Sequence, residues 1–126
     1  MSENVIIDTD PGQDDAVAIL LALASPKEIN LLGLTAVAGN VPLNLTLKNA
    51  RIICELAKMK NISIFKGCEK PLKRNLVTAE HVHGKTGLDG IILPEPTMPI
   101  KEIHAVDFII ETIRENPRHA ITICAL

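Results

Sequence analysis

The chain has 126 residues, a formal net charge of −2 and 47% hydrophobic residues, values that exclude a disordered or collagen-like chain. With two Phe as the only aromatic residues and no run of Lys or Arg, nucleic acid is not an expected partner. The longest apolar stretch, residues 16–24, is about half of a membrane span, and the first residues lack the features of a signal peptide. We therefore expect one cytoplasmic domain over residues 1–126 that does not enter a membrane.

The first half of the chain alternates between strand and helix signals. The β-branched run at residues 5–7 predicts a strand that ends in a turn-rich segment at Asp8. From Asp14 the residues are good helix formers, apolar on nearly every side, which predicts a buried helix. Residues 29–38 contain the next strand, closed by Gly39 and Asn40. Pro42 then opens a long helix whose polar residues repeat at spacings of four and three, so that one face is wet.

The second half repeats the alternation after a long irregular segment. A third strand is predicted at residues 62–65, and residues 68–99, rich in Pro, Gly and His, are expected to be mostly loop. Residues 105–116 return to helix, and a last strand follows at residues 120–126. The expected buried side of that helix comprises Val106, Ile109, Ile110 and Ile113.

Three cysteines occupy positions 54, 68 and 124 without a Cys-x-x-Cys spacing. Neither a disulfide framework nor a zinc ribbon fits this odd set. We expect three free thiols, two of them buried.

The order of elements predicts an α/β fold, a mostly parallel sheet with helices on both faces. Ligand sites in such folds lie at the carboxyl ends of the strands. That rule selects residues 8–15, Gly39 and Asn40, the loop after Gly67, and the position after Leu126. Because the chain stops at the end of a strand, we expect it to be truncated, with an open sheet edge through which it self-associates into a homo-oligomer.

Residues 8–15, which we call the acidic segment, contain four carboxylates: Asp8, Asp10, Asp14 and Asp15. One interpretation is that Asp14 and Asp15 only stabilise the start of a helix. The other is that a cation offsets the repulsion among the four groups. An all-oxygen set favours Ca²⁺ or Mg²⁺ over Zn²⁺, and carboxylates mixed with backbone carbonyls suit Ca²⁺ better. An EF-hand is excluded by the position of Gly12.

Three motifs carry a resemblance to a known family. Residues 8–16, with the sequence D-T-D-P-G-Q-D-D-A, resemble the amino-terminal signature of the inosine-uridine nucleoside hydrolases. Residues 33–40 are similar to the second strand of that family, and residues 83–90 to its H-G-x-x-G-L loop. The resemblance implies a Rossmann-like nucleoside hydrolase fold, cleavage of ribonucleosides to ribose and free base around one Ca²⁺, and a role in purine or pyrimidine salvage.

The resemblance also implies roles for individual residues. Asp10 and Asp15 would bind the calcium ion together with the backbone carbonyl of Leu126. Asp10 would also act as the general base that takes a proton from the attacking water, a role for which a carboxylate beside a cation is suited.

The substrate-binding residues implied by the resemblance are Asp14, Asn40 and His83. Asp14 and Asn40 would bind ribose hydroxyls, and His83, counted with Asp10 as catalytic, would lie near the nucleobase. Without the resemblance, His83 would be taken for a surface loop residue and Asn40 for a turn residue. A metal pair formed by His81 and His83 lacks a third ligand.

Family members are considerably longer than this chain, so we expect an amino-terminal half whose isolated activity is weak or absent. One alternative is a non-catalytic remnant that binds Ca²⁺ and ribose-like ligands. Another is a phosphohydrolase of the haloacid-dehalogenase type, which also carries D-x-D after its first strand. The sequence that follows Asp10 does not match that second family.

Overall fold

The protein forms one four-stranded sheet with helices packed on it, in a computed structural model that describes residues Met1–Leu126. Along the chain the elements are β1 (Glu3–Thr9), α1 (Gln13–Leu23), β2 (Ile29–Ala36), α2 (Leu43–Leu56), β3 (Ile64–Lys66), α3 (Glu80–His83), α4 (Ala105–Glu115) and β4 (Ile121–Ala125). The spatial order of the strands is β3-β2-β1-β4, and every neighbouring pair is parallel. The predicted fold class is confirmed.

Helices lie on both faces of the sheet. Leu34 of β2 is fully buried in the main apolar cluster, which includes residues of α1 and α2. Because side chains alternate along a strand, Gly33 faces the other way. There it lies beside Phe65 and Phe108, whose rings stack with centroids 3.7 Å apart and so join α4 to the sheet.

The first strand is longer than its β-branched run suggested. Asp8 and Thr9 pair with Thr35 and Ala36 of β2, so they belong to β1 and not to the loop after it. The parallel ladder extends the strand past the apolar residues because its hydrogen bonds do not depend on side-chain type. The loop therefore begins at Asp10.

Two helix faces differ from the predictions. Only one side of α1 is buried, through Asp15, Ile19 and Ala22, so the prediction of a helix buried all round is wrong. In α4 the predicted apolar side is also wrong, since Val106, Ile110 and Ile113 are exposed. The stacking of Phe108 on Phe65 turns α4 so that its inward face follows residues 105, 108, 109 and 112.

All three cysteines are free, as predicted, but only Cys54 is buried, and burial raises the pKa of its thiol to about 12. Cys68 and Cys124 are exposed, so the expectation of two buried thiols is wrong.

Among the helices, none has the length and apolar character needed to cross a bilayer. β4 is an exposed edge strand, and self-association through it stays a prediction.

Candidate functional site

Asp10 lies at the carboxyl edge of the sheet, directly after β1, and is held by Asn40 from the loop after β2. The backbone N–H of Asn40 donates to Asp10 Oδ2 at 2.8 Å, and the Asn40 side-chain Nδ2 donates to the Asp10 carbonyl oxygen at 2.9 Å. A Cβ atom built on Gly39 would lie 2.0 Å from Asp10 Oδ2, so no side chain fits there. The Gly-Asn pair thus fixes the Asp10 carboxylate by close backbone approach.

Asp15 is the buried member of the acidic segment. It lies in the first turn of α1 with 5% of its surface exposed, and Thr9 Oγ1 donates to its Oδ2 at 3.0 Å. Burial raises the pKa of Asp15; the Thr9 hydrogen bond opposes this effect, and the nearby Asp10 and Asp14 carboxylates add to it. Asp10 and Asp15 therefore form a pair in which negative charge is crowded.

The other two carboxylates of the segment have different surroundings. Asp8 belongs to β1, and its Oδ1 accepts a hydrogen bond of 2.6 Å from Thr35 Oγ1. Asp14 is exposed in the first turn of α1, where negative charge is favoured by the helix dipole. The N-cap of α1 is Gly12, and none of the four acids caps the helix with its side chain. Asp14 is the one acid of the four that is exposed to solvent.

Leu126 reaches the same edge of the sheet. Its backbone N–H donates to the carbonyl oxygen of Asp8 at 2.9 Å, which continues the β1–β4 ladder by one residue. The main chain of Leu126 therefore lies one strand away from the start of the acidic segment.

His83, at the end of α3, packs against the acidic segment, although it is 71 positions from Gly12 in the sequence. A Cβ atom built on Gly12 would lie 2.7 Å from His83 Nδ1 and 3.0 Å from Asn40 Nδ2. His83 Nδ1 is buried and has no hydrogen-bond partner. The structure brings His83, Asn40 and the acidic segment together, whereas His81 is exposed.

Residues 84–90, which we call the glycine loop, continue from His83. The Asp89 carboxylate accepts hydrogen bonds from the Lys85 and Thr86 backbone N–H groups at 3.0 and 3.1 Å, and also from the Thr86 hydroxyl. The Thr86 hydroxyl is the largest cause that lowers the pKa of Asp89, followed by the Thr86 amide. Asp89 therefore organises the loop that follows His83.

Two buried polar residues that contact the site, Thr9 and Asn49, were not among the sequence candidates. Thr9 orients Asp15 through its hydroxyl. In the sequence, the position of Thr9 between the two acids of the D-T-D motif could have indicated this role. Asn49 lies on α2 and is 3% exposed. In the sequence, Asn49 is an amide on the side of α2 opposite to the regularly spaced polar residues. A polar group on that buried side requires a hydrogen-bond partner, and this could have indicated its importance.

The potential metal ligands are few. Across the chain, no group of three or more His, Cys, Asp or Glu side chains is placed to hold a metal ion. Within the acidic segment, the Asp15 carboxylate interacts with that of Asp10 and less strongly with that of Asp14. The side chains of this chain therefore do not form a complete metal-ligand shell.

A parallel α/β sheet with crowded carboxylates at the carboxyl ends of its strands defines the general class, an α/β protein with a polar site at that edge. The family model for inosine-uridine preferring nucleoside hydrolase matches residues 5–126. The chain belongs to this family, as the motifs predicted. Membership also favours the nucleoside hydrolase hypothesis over the phosphohydrolase alternative.

Individual relatives agree with the family match. The chain is 54% identical over 122 residues to an uncharacterised protein of Schizosaccharomyces pombe, covering 97% of this chain and 39% of that protein. It is 46% identical over 118 residues to the pyrimidine-specific ribonucleoside hydrolase RihA of a Shewanella species, covering 94% and 37%.

Solved structures match the fold. A purine-preferring ribonucleoside hydrolase from Gardnerella vaginalis superposes with a TM-score of 0.88 at 27% identity, covering 98% of this chain and 40% of that one. A plant nucleoside hydrolase gives a TM-score of 0.87 at 35% identity, covering 100% and 40%. The chain thus spans about 40% of the length of these proteins.

Proposed function

We propose that this protein takes part in calcium-dependent hydrolysis of the N-glycosidic bond of ribonucleosides, giving ribose and a free base. The observation that carries this proposal is family membership over residues 5–126 combined with the meeting of the acidic segment, Asn40 and His83 at one sheet edge. Relatives differ in the base that their names specify, pyrimidine or purine. Both classes of ribonucleoside share the ribose and the glycosidic bond on which the proposed chemistry acts.

The donor chemistry of the site fits calcium as part of a ligand set. Asp10 and Asp15 supply carboxylate oxygens, and Leu126 supplies a backbone carbonyl at the same edge. Calcium takes about 6–8 oxygen ligands, so water would complete the set. Burial is the main cause that raises the pKa of Asp15, and the neighbouring Asp10 and Asp14 carboxylates add to it. A bound cation would offset the repulsion among these carboxylates. When bound, calcium would supply Lewis acidity that makes the attacking water a stronger acid.

Asp10 is proposed as the general base. Because the Asn40 amide engages Oδ2, the other carboxylate oxygen, Oδ1, is the one proposed to accept a proton. The oxygen of the attacking water bonds to the anomeric carbon of ribose, and one proton of that water passes to Asp10. The bond from that carbon to the base nitrogen breaks, and its electron pair leaves with the base.

Asp14 and Asn40 are proposed to bind the ribose. Asp14 is exposed and can accept hydrogen bonds from hydroxyls. Asn40 uses its backbone N–H and one side-chain hydrogen on Asp10, which leaves Oδ1 and the second hydrogen of Nδ2 for the sugar. His83, with Nδ1 against Gly12, would present Nε2 toward the nucleobase.

The negative charge of the site also favours this reaction. Glycosidic bond cleavage passes through an oxocarbenium-like transition state, in which positive charge develops on the sugar ring. Carboxylates already fixed by Thr9 and Asn40 can stabilise that charge without reorganising at the moment of reaction.

Ribose release tests the proposal directly. The purified protein is incubated with inosine or uridine in calcium, with a calcium chelator, and after calcium is restored. We expect the ribose release of this chain to be weak, to stop with the chelator and to return with calcium. Asp10→Asn should lower it by at least about 100-fold, the usual contribution of a general base. Equal release by Asp10→Asn would contradict the role of Asp10.

The presence of only two neighbouring acidic ligands favours a second candidate, calcium and ribose binding without turnover. In that case calcium binds and ribose slows its dissociation, but no ribose is released from either nucleoside. The same incubation, combined with a binding measurement, separates the two candidates.

A further inference from the structure

The side chain of Asn49 forms hydrogen bonds to two separate parts of the candidate site. Its side-chain Nδ2 donates to the Pro11 carbonyl oxygen at 3.0 Å and to the Thr86 carbonyl oxygen at 2.7 Å. Pro11 belongs to the acidic segment and Thr86 to the glycine loop. A primary amide nitrogen has two hydrogens, so this group is fully used by one carbonyl on each side.

The glycine loop approaches Asn49 at a position that no side chain could occupy. A Cβ atom on Gly87 would lie 2.8 Å from Asn49 Nδ2 and 3.2 Å from the Pro11 carbonyl oxygen. Gly87 also has a φ of +85°, a backbone conformation that other residues rarely adopt. Close packing and the two hydrogen bonds thus act on the same junction.

His83 lies between two attachments to the acidic side of the site. Before it, the Ala79 N–H donates to the Asn40 carbonyl oxygen at 2.8 Å. After it, Thr86 is held by Asn49. A third contact, from Gln13 Nε2 to the Asp89 carbonyl oxygen at 3.4 Å, is longer and exposed. Asn49 therefore provides the buried attachment on the carboxyl side of His83.

We propose that Asn49 is a positioning residue: its amide holds the acidic segment to the glycine loop and so sets where His83 lies relative to Gly12 and Asn40. This inference rests on the proposed function for its catalytic meaning, but the clamp itself is a structural property. Loss of the amide would release the glycine loop while leaving Asp10 held by Asn40.

The test uses Asn49→Ala, Asn49→Asp and a matched control on the same helix. Asn49→Asp keeps the shape of the side chain but has no hydrogens to donate, and its charge faces two carbonyl oxygens. The control is Thr46→Val, since Thr46 is also fully buried but its hydroxyl donates to Leu43 within the helix. If Asn49→Asp does not fold, Asn49→Ala against the control decides the matter.

Two readouts report on the loop without requiring activity. Trypsin cleavage after Lys85 is compared with cleavage after Lys73, an exposed reference in the preceding segment. We expect the ratio to rise about tenfold in the Asn49 variants, since a net hydrogen bond of ordinary strength is lost on each loop. The NMR signal of the His83 ring should also move in these variants but not in Thr46→Val.

Kinetics give the third readout. With the clamp lost, kcat for ribose release should fall about tenfold or more, with a smaller change in KM, because a displaced group costs the chemical step first. Unchanged Lys85 cleavage and an unmoved His83 signal in the Asn49 variants, relative to Thr46→Val, would overturn the inference. If no variant and no wild-type protein releases ribose, the proposed function fails, while the first two readouts still decide the clamp.

Discussion

β1 has a parallel neighbour on each side, and these two neighbours differ in burial. β2 ends in four buried residues, 33–36, and lies against α1 and α2. In β4, four of the five residues are exposed. Asp10 and Asn40 thus follow strands that are packed against helices, whereas Leu126 follows a strand that is mostly exposed. The β1–β2 side of the sheet is therefore expected to contribute more to stability than the β1–β4 side, and to hold the site residues more firmly.

Truncating one apolar side chain on each neighbour gives the largest expected effect. Leu34 of β2 is fully buried beside Ile7, and Ile123 of β4 is 43% exposed beside Ile6. Leu34→Ala should lower the free energy of unfolding by about 2–5 kcal/mol because it leaves a cavity. Ile123→Ala should cost less than about 1 kcal/mol. Urea unfolding measures both losses of stability, and equal losses would contradict the difference between β2 and β4.

Charge crowding on the packed side gives the next effect, with the opposite sign. Without calcium, Asp15→Asn should raise the free energy of unfolding by about 1 kcal/mol. The amide oxygen can still accept from Thr9, while repulsion from Asp10 and Asp14 is removed. Asp14→Asn is the control, since Asp14 is exposed and should change stability less. Thermal unfolding in chelator checks this, and a less stable Asp15→Asn protein would refute the crowding.

The pH dependence of the glycine loop is the smallest expected effect. Hydrogen bonds from Thr86 and Lys85 hold the pKa of Asp89 below its ordinary value of 3.8. A lowered pKa means that the stabilisation is present above the ordinary value and is lost as pH falls through the folded-state value. The Lys85 and Thr86 amide signals in NMR should therefore shift below pH 3.8 and not above it. In Asp89→Asn the transition should be absent, and its persistence would assign it to another group.

Much of the fold could be predicted because the residues that indicate a strand or helix lie within that element or directly beside it. The run at residues 5–7, the acids at the start of α1, and Pro42 before α2 each determine nearby backbone. The acidic segment and Asn40 were also found locally, since each follows a strand. What these residues do in catalysis stays a proposal.

The remainder depended on contacts between distant residues. The inward face of α4 is set by Phe108 stacking on Phe65, 43 positions earlier, which periodicity alone does not reveal. Asp8 joins β1 through its pairing with Thr35, although its acidic side chain suggested a loop. The proposed positioning role of Asn49 depends on hydrogen bonds to two loops that the sequence alone does not bring together.

Calcium titration by calorimetry tests the central claim, that Asp10 and Asp15 together hold a divalent ion. We predict saturable binding of one Ca²⁺ per chain, lost in Asp10→Asn and in Asp15→Asn. Asp8→Asn should bind as the wild type does, because the Asp8 carboxylate is engaged by Thr35 in the sheet. No binding at millimolar calcium, or unchanged binding by the Asp10 and Asp15 variants, would contradict the claim.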